Sequence, residues 1–305
     1  MQLEERPDDR GLKKRKGAPG QVDCMLDERP RRIIRGSPMP DVYATISTAP
    51  QETQEMLASI LELRAADPQQ REMLVAYTSR LGALRDADVL EVGSGTGPVC
   101  RFLATLPGVR RVLGIDPSPV FVQRARELAD DDRLTFETGD ARELTLEDGS
   151  FDVVVFHTSL SHIPECDRAL AEAHRVLRPG GRVVAFDGDY VTTTVAAYEN
   201  DPLQACAAAA VAFLVHDPWL MRRIGQLIEA AGFSELDVGG HAYTSTGSPY
   251  FLTLLERGSD VLVENGSLTA ETAAALKAEA GARVQTGTFF GHIAYVSAIA
   301  RRRAR

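Results

Sequence analysis

Residues 89–97 read VLEVGSGTG, an apolar run that leads directly into glycines at positions 93, 95 and 97. Glycines at alternate positions let the backbone turn sharply and let a ligand approach the main chain without a Cβ atom in the way. Asp116 ends the next apolar run, 21 residues beyond Gly95. In a doubly wound sheet, an acid at such a strand end can bind ribose hydroxyls. The stretch therefore predicts a nucleotide-type ligand at the ends of two strands.

Short apolar runs alternate with helical segments on either side of Asp116. The apolar runs cover 89–93, 112–116, 134–140, 151–157 and 181–187, and helix candidates lie near 97–106, 118–129 and 166–177. Strands that are apolar along most of their length, separated by single helices, are typical of a parallel sheet buried on both faces. Two further strands are predicted at 234–243 and 288–300. We therefore predict an α/β fold with a doubly wound, mostly parallel seven-stranded sheet.

The segments before this core differ from it in composition. Residues 1–40 contain five prolines and two basic clusters, which predicts a disordered or loosely docked arm. Residues 41–84 repeat apolar side chains at three- and four-residue spacing. The pattern predicts two helices, separated at Asp67-Pro68, that form a helical N-terminal lid.

The main domain is predicted to span residues 85–305. Ala-rich and amphipathic stretches interrupt its strand pattern, and they predict helical insertions at 189–231 and 244–285. Together with the lid, these insertions are expected to cover the carboxyl ends of the strands with a largely apolar surface, as a pocket for a small organic molecule requires.

Composition excludes several classes of protein. The chain has 305 residues with 44% hydrophobic and 25% charged residues, which is typical of a soluble globular protein. The net charge is −9, and residues 1–40 are basic, so the remainder is strongly acidic. An acidic body argues against nucleic acid as a partner. No apolar run reaches the roughly 18–20 residues of a membrane span, and the start of the chain has no hydrophobic stretch, which predicts a cytoplasmic protein with no membrane partner.

The metal-ligating residue types are dispersed. The four cysteines stand singly, and the six histidines show no metal-ligand grouping on one helix face. We therefore expect reduced thiols and no protein-bound metal.

A dinucleotide-binding fold is an alternative reading of the glycine loop. Its fingerprint is GxGxxG, whereas this chain has GxGxG followed by Pro98. The third glycine is out of place, which favours a ligand with ribose and adenine but no pyrophosphate.

With these motifs, the chain resembles the class I S-adenosylmethionine-dependent methyltransferases. It is most similar to the small-molecule, type 11 group that includes the menaquinone/ubiquinone C-methyltransferases. The matching segments are VLEVGSGTG (89–97), GIDPSP (114–119), GDA (139–141), FDVVVFHTSLSHIP (151–164) and EAHRVLRPGGRVVAFDGDY (172–190). The resemblance covers about residues 80–300. It implies a Rossmann-like methyltransferase fold, S-adenosylmethionine as the cofactor and S-adenosylhomocysteine as its product.

Carried over position by position, the resemblance implies a set of cofactor-binding residues. They are Glu91, Gly93, Ser94, Gly95, Asp116, Pro117, Asp140, Ala141, His157 and Thr158. Asp116 is expected to bind both ribose hydroxyls, and Asp140 the adenine amino group. Helix capping is the structural alternative for Asp116, and an ordinary turn is the alternative for Asp140.

No motif identifies the residues that contact the molecule that accepts the methyl group. A general base helps when the acceptor is a phenol, an alcohol or a carbon acid. His162 is the candidate base and Asp187 the second catalytic candidate, each with a structural role as its alternative. Candidate substrate-contacting residues are Tyr43, Asp189, Tyr190 and Trp219.

These observations predict a methyltransferase for a small, partly apolar metabolite, in a setting such as secondary metabolism. Whether oxygen, nitrogen or carbon accepts the methyl group is left open, and a homodimer is compatible with the sequence. The alternatives are a cyclisation or rearrangement enzyme that keeps the cofactor without transferring methyl, a nucleic-acid methyltransferase that uses the basic arm, and a binding module without catalysis. The sequence FHTS stands where base methyltransferases carry Asn-Pro-Pro-Tyr, which weakens the nucleic-acid alternative.

Overall fold

A computed structural model describes residues 41–303, so the predicted arm at 1–40 lies outside the described residues. The helices are α1 (Gln51–Ala65), α2 (Pro68–Ser79), α3 (Pro98–Ala104), α4 (Pro119–Leu128), α5 (Cys166–Val176), α6 (Leu203–Leu214), α7 (Ile224–Ala230), α8 (Pro249–Glu264) and α9 (Ala270–Thr286). The strands are β1 (Ala87–Val92), β2 (Val109–Asp116), β3 (Leu134–Thr138), β4 (Phe151–His157), β5 (Leu177–Thr194), β6 (Phe233–Ser245) and β7 (Gly291–Arg302).

The seven strands form one sheet in the order β3-β2-β1-β4-β5-β7-β6. Strands β1 to β5 pair in parallel, and β7 runs antiparallel to both of its neighbours. The predicted doubly wound, mostly parallel seven-stranded sheet is therefore confirmed. The strand order reverses between β1 and β4, and in such sheets ligands bind outside the carboxyl ends of the strands at this point.

Burial of the central strands explains why the sequence forms this sheet. Every residue of β1 is buried, and the side chains of β4 alternate between two apolar clusters. Val153 and Val155 belong to a cluster with residues of α2, α3, α4, α6 and α8. Val154 and Phe156 belong to the other cluster, which includes residues of α5 and α7. A strand covered by helices on both faces has to be apolar along its length.

The two N-terminal helices are separated at Asp67-Pro68, as the sequence predicts. Asp67 is the N-cap of α2, since its carboxylate accepts hydrogen bonds from the amides of Gln69 and Gln70, and Pro68 is the first helical residue. A capping acid followed by proline both ends α1 and starts α2.

Strand β5 is longer than the sequence predicts. The prediction ended it at Asp187 and began a helical insertion at residue 189, so that Asp189 and Tyr190 followed the strand, which is wrong. Residues 187–189 pair antiparallel with residues 294–296 of β7, and the pairing carries the strand on to Thr194. Asp189 and Tyr190 therefore lie within the sheet.

The two insertions contain the predicted helices, but those helices pack mainly on one another. Helices α6 and α8 are in direct backbone contact, since a Cβ atom built on Gly258 of α8 would lie 1.8 Å from the carbonyl oxygen of Cys206 in α6. Among the described helices, none is long and apolar enough to cross a membrane.

Replacement of Gly258 by alanine tests this contact. Alanine favours a helix over glycine by about 1 kcal/mol, yet here its methyl group would collide with the backbone of α6. We expect Gly258→Ala to lower the free energy of unfolding in urea by about 1–3 kcal/mol.

Gly281→Ala in α9 is the matched control, because nothing lies within 4 Å of its added methyl group. We expect it to raise the free energy of unfolding by about 0.5–1 kcal/mol. Equal effects of the two substitutions would contradict the close packing of α6 and α8.

Candidate active site

The glycine loop lies between the end of β1 and the start of α3. Its three glycines adopt φ values of +76°, +53° and +81° at positions 93, 95 and 97, in the left-handed region that favours glycine. A Cβ atom on Gly93 would lie 2.4 Å from Cβ of Ser159, and one on Gly95 would lie 2.8 Å from Cδ1 of Leu61. Glycine is therefore required here by backbone conformation and by close packing together.

Asp116 at the end of β2 holds this loop in place. Its Oδ2 accepts a hydrogen bond from the Gly95 amide at 2.8 Å, and its Oδ1 accepts one from the Ser118 amide at 2.9 Å. The N-cap of α4 is Ser118, whose hydroxyl accepts from the Phe121 amide. Burial raises the pKa of Asp116 to about 6, and the side chain lines the adjacent cavity.

Glu91 lies inside β1 and is 2% exposed. The partner that a buried carboxyl group needs is the Cys100 thiol, which donates a hydrogen bond to its Oε2 at 2.9 Å. Burial raises the pKa of Glu91 to about 8, although the Cys100 hydrogen bonds act in the opposite direction. The group is thus largely protonated at neutral pH.

The cavity beside these groups has a volume of about 660 Å³. It is lined by the loop before α1, by α1 and α2, by the carboxyl ends of β1, β2 and β4 with the segments that follow them, and by the segment that follows β3. The sequence-predicted residues that line it are Tyr43, Glu91, Gly93, Ser94, Gly95, Asp116, Pro117, Asp140, Ala141, His157, Thr158 and His162. The fold thus brings together all ten predicted cofactor residues.

At one end of the cavity, the Asp140 carboxylate is paired with Arg142. The guanidinium Nη2 lies 2.7 Å from Oδ2, and the Arg142 amide donates to Oδ1 at 2.8 Å. The hydrogen bond from the Arg142 side chain lowers the pKa of Asp140. Asp140 therefore lines the cavity as an ionised carboxylate that a ligand would share with Arg142.

His157 at the end of β4 forms a hydrogen bond of 3.0 Å between its Nδ1 and the Tyr77 hydroxyl. Burial, followed by the charge of Arg64, lowers the pKa of His157 to about 3, so the ring is neutral. Tyr77 is fully buried, and its proton has no other acceptor among the described residues. The phenol therefore donates to Nδ1, which leaves the imidazole proton on Nε2.

His162 forms a different kind of pair. Its Nδ1 lies 2.7 Å from Oδ2 of Asp41, whose side chain is 1% exposed. The carboxylate also accepts hydrogen bonds from the amides of Tyr43 and His216, both at 2.8 Å. A carboxylate can only accept a hydrogen bond, so in its neutral form the ring donates from Nδ1 and has its lone pair on Nε2. This is the tautomer that a general base requires.

Four predicted residues do not line the cavity, which corrects the prediction for the acceptor side. Asp187 is 1% exposed and accepts a hydrogen bond from the Ser161 amide at 3.1 Å, so it supports the loop that carries His162. Asp189 is paired with Arg222 at 2.9 Å. Tyr190 is buried within β5. Trp219 is 53% exposed and stacks under the Arg222 guanidinium at 5.0 Å.

The expected covering by the two insertions is also wrong. Within residues 41–303, no residue after Pro164 lines the cavity. Helices α6 and α8 bury their apolar faces against each other and the sheet, and the cavity is instead lined by the segment before β1 and by the segments that follow strands β1 to β4.

That segment also contributes residues that the sequence analysis missed: Asp41, Arg64, Gln70 and Tyr77. No motif marks them, because each acts through a partner more than 75 positions away in the chain. The only signal was the helical periodicity that placed Tyr77 on an apolar face. Among the described residues, no group of three or more His, Cys, Asp or Glu side chains could hold a metal ion.

The raised pKa of Glu91 predicts a pH-dependent stability. Unfolded Glu has a pKa of about 4.3, so between that pH and about 8 the unfolded chain releases a proton that the folded protein keeps. This group's contribution to stability is complete below pH 4.3 and is lost as the pH rises to about 8, by up to about 1.4 kcal/mol per pH unit. We expect the Glu91→Gln protein to gain stability relative to wild type over this range in urea titrations.

Glu127→Gln, at an exposed position of α4, is the control and should parallel the wild type. If the difference between the Glu91→Gln and wild-type free energies of unfolding does not change with pH, Glu91 is ionised in the folded protein.

Residues 90–185 match the family model described as a methyltransferase domain. The chain is 36% identical over 151 residues to the 27-O-demethylrifamycin SV methyltransferase of Amycolatopsis mediterranei, a match that covers 48% of each protein. It is 36% identical over 107 residues to the ubiquinone/menaquinone biosynthesis C-methyltransferase UbiE of Methylobacterium nodulans, over 34% of this chain and 42% of that protein. The chain thus spans about half the length of the curated relatives it matches.

Solved structures share the fold. The crystal structure of the [4+2]-cyclase SpnF superposes with a TM-score of 0.53 at 21% identity, over 84% of this chain and 98% of that one. The YcgJ protein of Bacillus subtilis superposes with a TM-score of 0.53 at 17% identity, over 77% and 99% of the two chains.

Proposed function

We propose that this chain is a class I S-adenosylmethionine-dependent methyltransferase that transfers a methyl group to a small, partly apolar metabolite, as its similarity to methyltransferases supports. The observation that carries the proposal is that the candidate cofactor loop and the candidate base line the same cavity. These are the glycine loop with Asp116, and His162 with its Nδ1 directed at Asp41. We further propose that residues 41–84 act as the lid of a cofactor-binding domain that spans 85–305.

The residues present fit S-adenosylmethionine. The backbone of the loop at Gly93 and Gly95 is in the left-handed region and carries no Cβ atom towards a ligand, and the Ser94 hydroxyl in the same loop is buried without a hydrogen-bond partner among the described residues. In this proposal Ser94 bonds to the ligand, Asp116 binds the ribose hydroxyls, and Asp140 and Ala141 bind the adenine. The bound cofactor supplies a methyl group on a sulfonium centre.

His162 acts on the acceptor in this proposal. Its Nε2 removes a proton from an oxygen or carbon acid, and the buried Asp41 carboxylate stabilises the imidazolium that forms. Positioning and exclusion of water account for the rest of the rate, because an in-line displacement depends on the alignment of the reacting atoms.

The size and charge of the site favour a small acceptor. A cavity of about 660 Å³ is within the range of small-molecule sites, and the body of the chain is acidic, which disfavours nucleic acid. The rifamycin and ubiquinone/menaquinone methyltransferases among the relatives support an organic metabolite, with secondary metabolism as one setting. A cyclisation without methyl transfer would differ in one measurable respect, since it forms no S-adenosylhomocysteine.

Calorimetric titration of wild type and Asp116→Asn tests the cofactor assignment. Wild type should bind S-adenosylmethionine and S-adenosylhomocysteine but not NADH. The substitution should weaken binding of S-adenosylhomocysteine by about 1–3 kcal/mol, or roughly 5- to 150-fold, because it removes the charged acceptor for the ribose hydroxyls.

Asp132→Asn on the exposed loop after α4 is the matched control and should bind like wild type. Unchanged affinity in Asp116→Asn would remove Asp116 from the cofactor site, and binding of NADH alone would contradict the proposed function.

Substitution of His162 tests the base. In a screen of phenols, alcohols and carbon acids, we expect His162→Gln to form S-adenosylhomocysteine about 10²- to 10⁴-fold more slowly than wild type at unchanged cofactor affinity. Asp41→Asn should lower the rate by a smaller factor, because the ring keeps its place but loses the charge that stabilises the imidazolium.

The tautomer can be measured without an acceptor. Imidazole ¹⁵N shifts should show the neutral His162 ring protonated on Nδ1 in wild type, with His292→Gln as a control for assignment. A ring protonated on Nε2, or equal losses of turnover and cofactor affinity, would exclude His162 as the base.

A further inference from the structure

The cavity is also lined by an arginine, Arg64, and a glutamine, Gln70, from the N-terminal helices. Nη2 of Arg64 donates a hydrogen bond to the hydroxyl oxygen of Tyr295 at 3.3 Å, and Nε2 of Gln70 donates to the same oxygen at 3.4 Å. The Arg64 guanidinium carbon lies 6.0 Å from the ring centre of Tyr295 and 5.9 Å from that of Tyr250. One phenol oxygen thus receives two donors, and most of the Arg64 N–H groups have no partner among residues 41–303.

Among the described residues, no carboxylate forms an ion pair with the Arg64 guanidinium, although the charge of the buried Asp187 acts on it from a greater distance. Arg101 and Arg142 line the same cavity, and each is paired with a carboxylate, Glu62 and Asp140 respectively. The side-chain hydrogen bond of Arg64 within the described residues goes to the Tyr295 hydroxyl. A half-buried cation without a carboxylate is costly unless a ligand supplies the negative charge.

Gln70 gives a second, independent indication of a ligand. Its side chain is 6% exposed and lines the cavity. Its Oε1 has no hydrogen-bond partner among the described residues. A buried amide oxygen in this state costs free energy unless a ligand donates a hydrogen bond to it.

The strand order separates Arg64 and Gln70 from Asp116. Asp116 ends β2 and the glycine loop follows β1, whereas Tyr295 lies on β7, three strands beyond β1. Adjacent strands are about 4.8 Å apart, so β7 lies roughly 14 Å from β1 and roughly 19 Å from β2 across the sheet. Both the methyl acceptor, in line with the sulfur–methyl bond, and the amino-acid part of the cofactor lie beyond the sulfur as seen from the ribose. His162 opens onto the same cavity.

We propose that Arg64 and Gln70 bind a carboxylate of the methyl acceptor. Arg64 donates to the anionic oxygens, and the Gln70 amide oxygen accepts a hydrogen bond from a neighbouring hydroxyl or amide of the same molecule. The substrate class is therefore an aromatic or otherwise apolar carboxylic acid. This inference rests on the proposed function, because it assigns the acceptor of that same site.

Binding of matched probes tests the proposal without turnover. Benzoate, 4-hydroxybenzoate and 2-naphthoate are titrated at millimolar concentration into the full-length protein saturated with S-adenosylhomocysteine, beside the corresponding carboxamides. At least one carboxylate should bind more tightly than its amide. Arg64→Gln should weaken that carboxylate at least about tenfold and leave the amide unchanged.

Three further variants are tested for the same preference for a carboxylate over its carboxamide. Arg64→Lys keeps the charge and should retain part of the preference. Gln70→Glu supplies an internal carboxylate to Arg64 and should abolish the preference even if Arg64→Gln proves too unstable to measure. Arg124→Gln, at an exposed position of α4, should behave like wild type.

The cofactor's own carboxylate has the same chemistry, and a second titration separates the two sources. S-adenosylhomocysteine and 5′-methylthioadenosine, which lacks the amino-acid part, are compared in wild type and Arg64→Gln. If Arg64→Gln binds S-adenosylhomocysteine as tightly as wild type does, the acceptor assignment is supported. A tenfold loss for S-adenosylhomocysteine alone would assign Arg64 to the cofactor and overturn the proposal.

The proposal is also overturned if no carboxylate binds more tightly than its amide. In that case, binding of S-adenosylhomocysteine would still support the proposed function. Failure of the wild type to bind S-adenosylhomocysteine would instead count against the proposed function and with it the acceptor assignment.

Discussion

The hydrogen bond from the Gly95 amide to the Asp116 carboxylate joins the loop after β1 to the end of β2. The other oxygen of the same carboxylate accepts from the Ser118 amide at the start of α4. One buried acid therefore fixes two loops at the edge of the sheet where the parallel strands end. Because β1 and β2 are neighbours with their carboxyl ends at the same edge, no other part of the fold could bring these groups together. The shape of the proposed cofactor site depends on this bond.

Burial determines the charges around this bond. It raises the pKa of Asp116 to about 6 and that of Glu91 to about 8, and it lowers the pKa of His157 to about 3. At neutral pH, Glu91 is largely protonated and His157 is neutral. Next to the buried groups, an attraction between a sulfonium and a deprotonated acceptor is strong where water is excluded, which suits the proposed reaction. The Arg64 guanidinium differs from those of Arg101 and Arg142 in the same cavity, because no described carboxylate forms an ion pair with it.

The sheet could be predicted from the sequence because its central strands are buried on both faces. Val153 to Phe156 alternate between two apolar clusters, so the run is continuously apolar and is recognisable without any tertiary information. The glycine loop and Asp116 were predictable for a related reason, since their backbone requirements restrict the residue types. The extension of β5 to Thr194 was not, because it depends on antiparallel pairing with β7, which lies about 100 positions later in the chain.

The acceptor side could not be predicted because its residues act through distant partners. Asp41 becomes an orienting group only when the segment before β1 docks on the loop that carries His162. That docking rests on apolar contacts of Ile46, Leu57 and Ala58 with Phe121 of α4. Helices as short as α1 and α2 are marginal on their own, so the docked arrangement depends on these contacts and on whatever the cavity binds. A ligand that contacts Arg64 would therefore stabilise the same docked state that orients His162. Binding of the acceptor by Arg64 and orientation of His162 by Asp41 would then both depend on docking of the segment before β1.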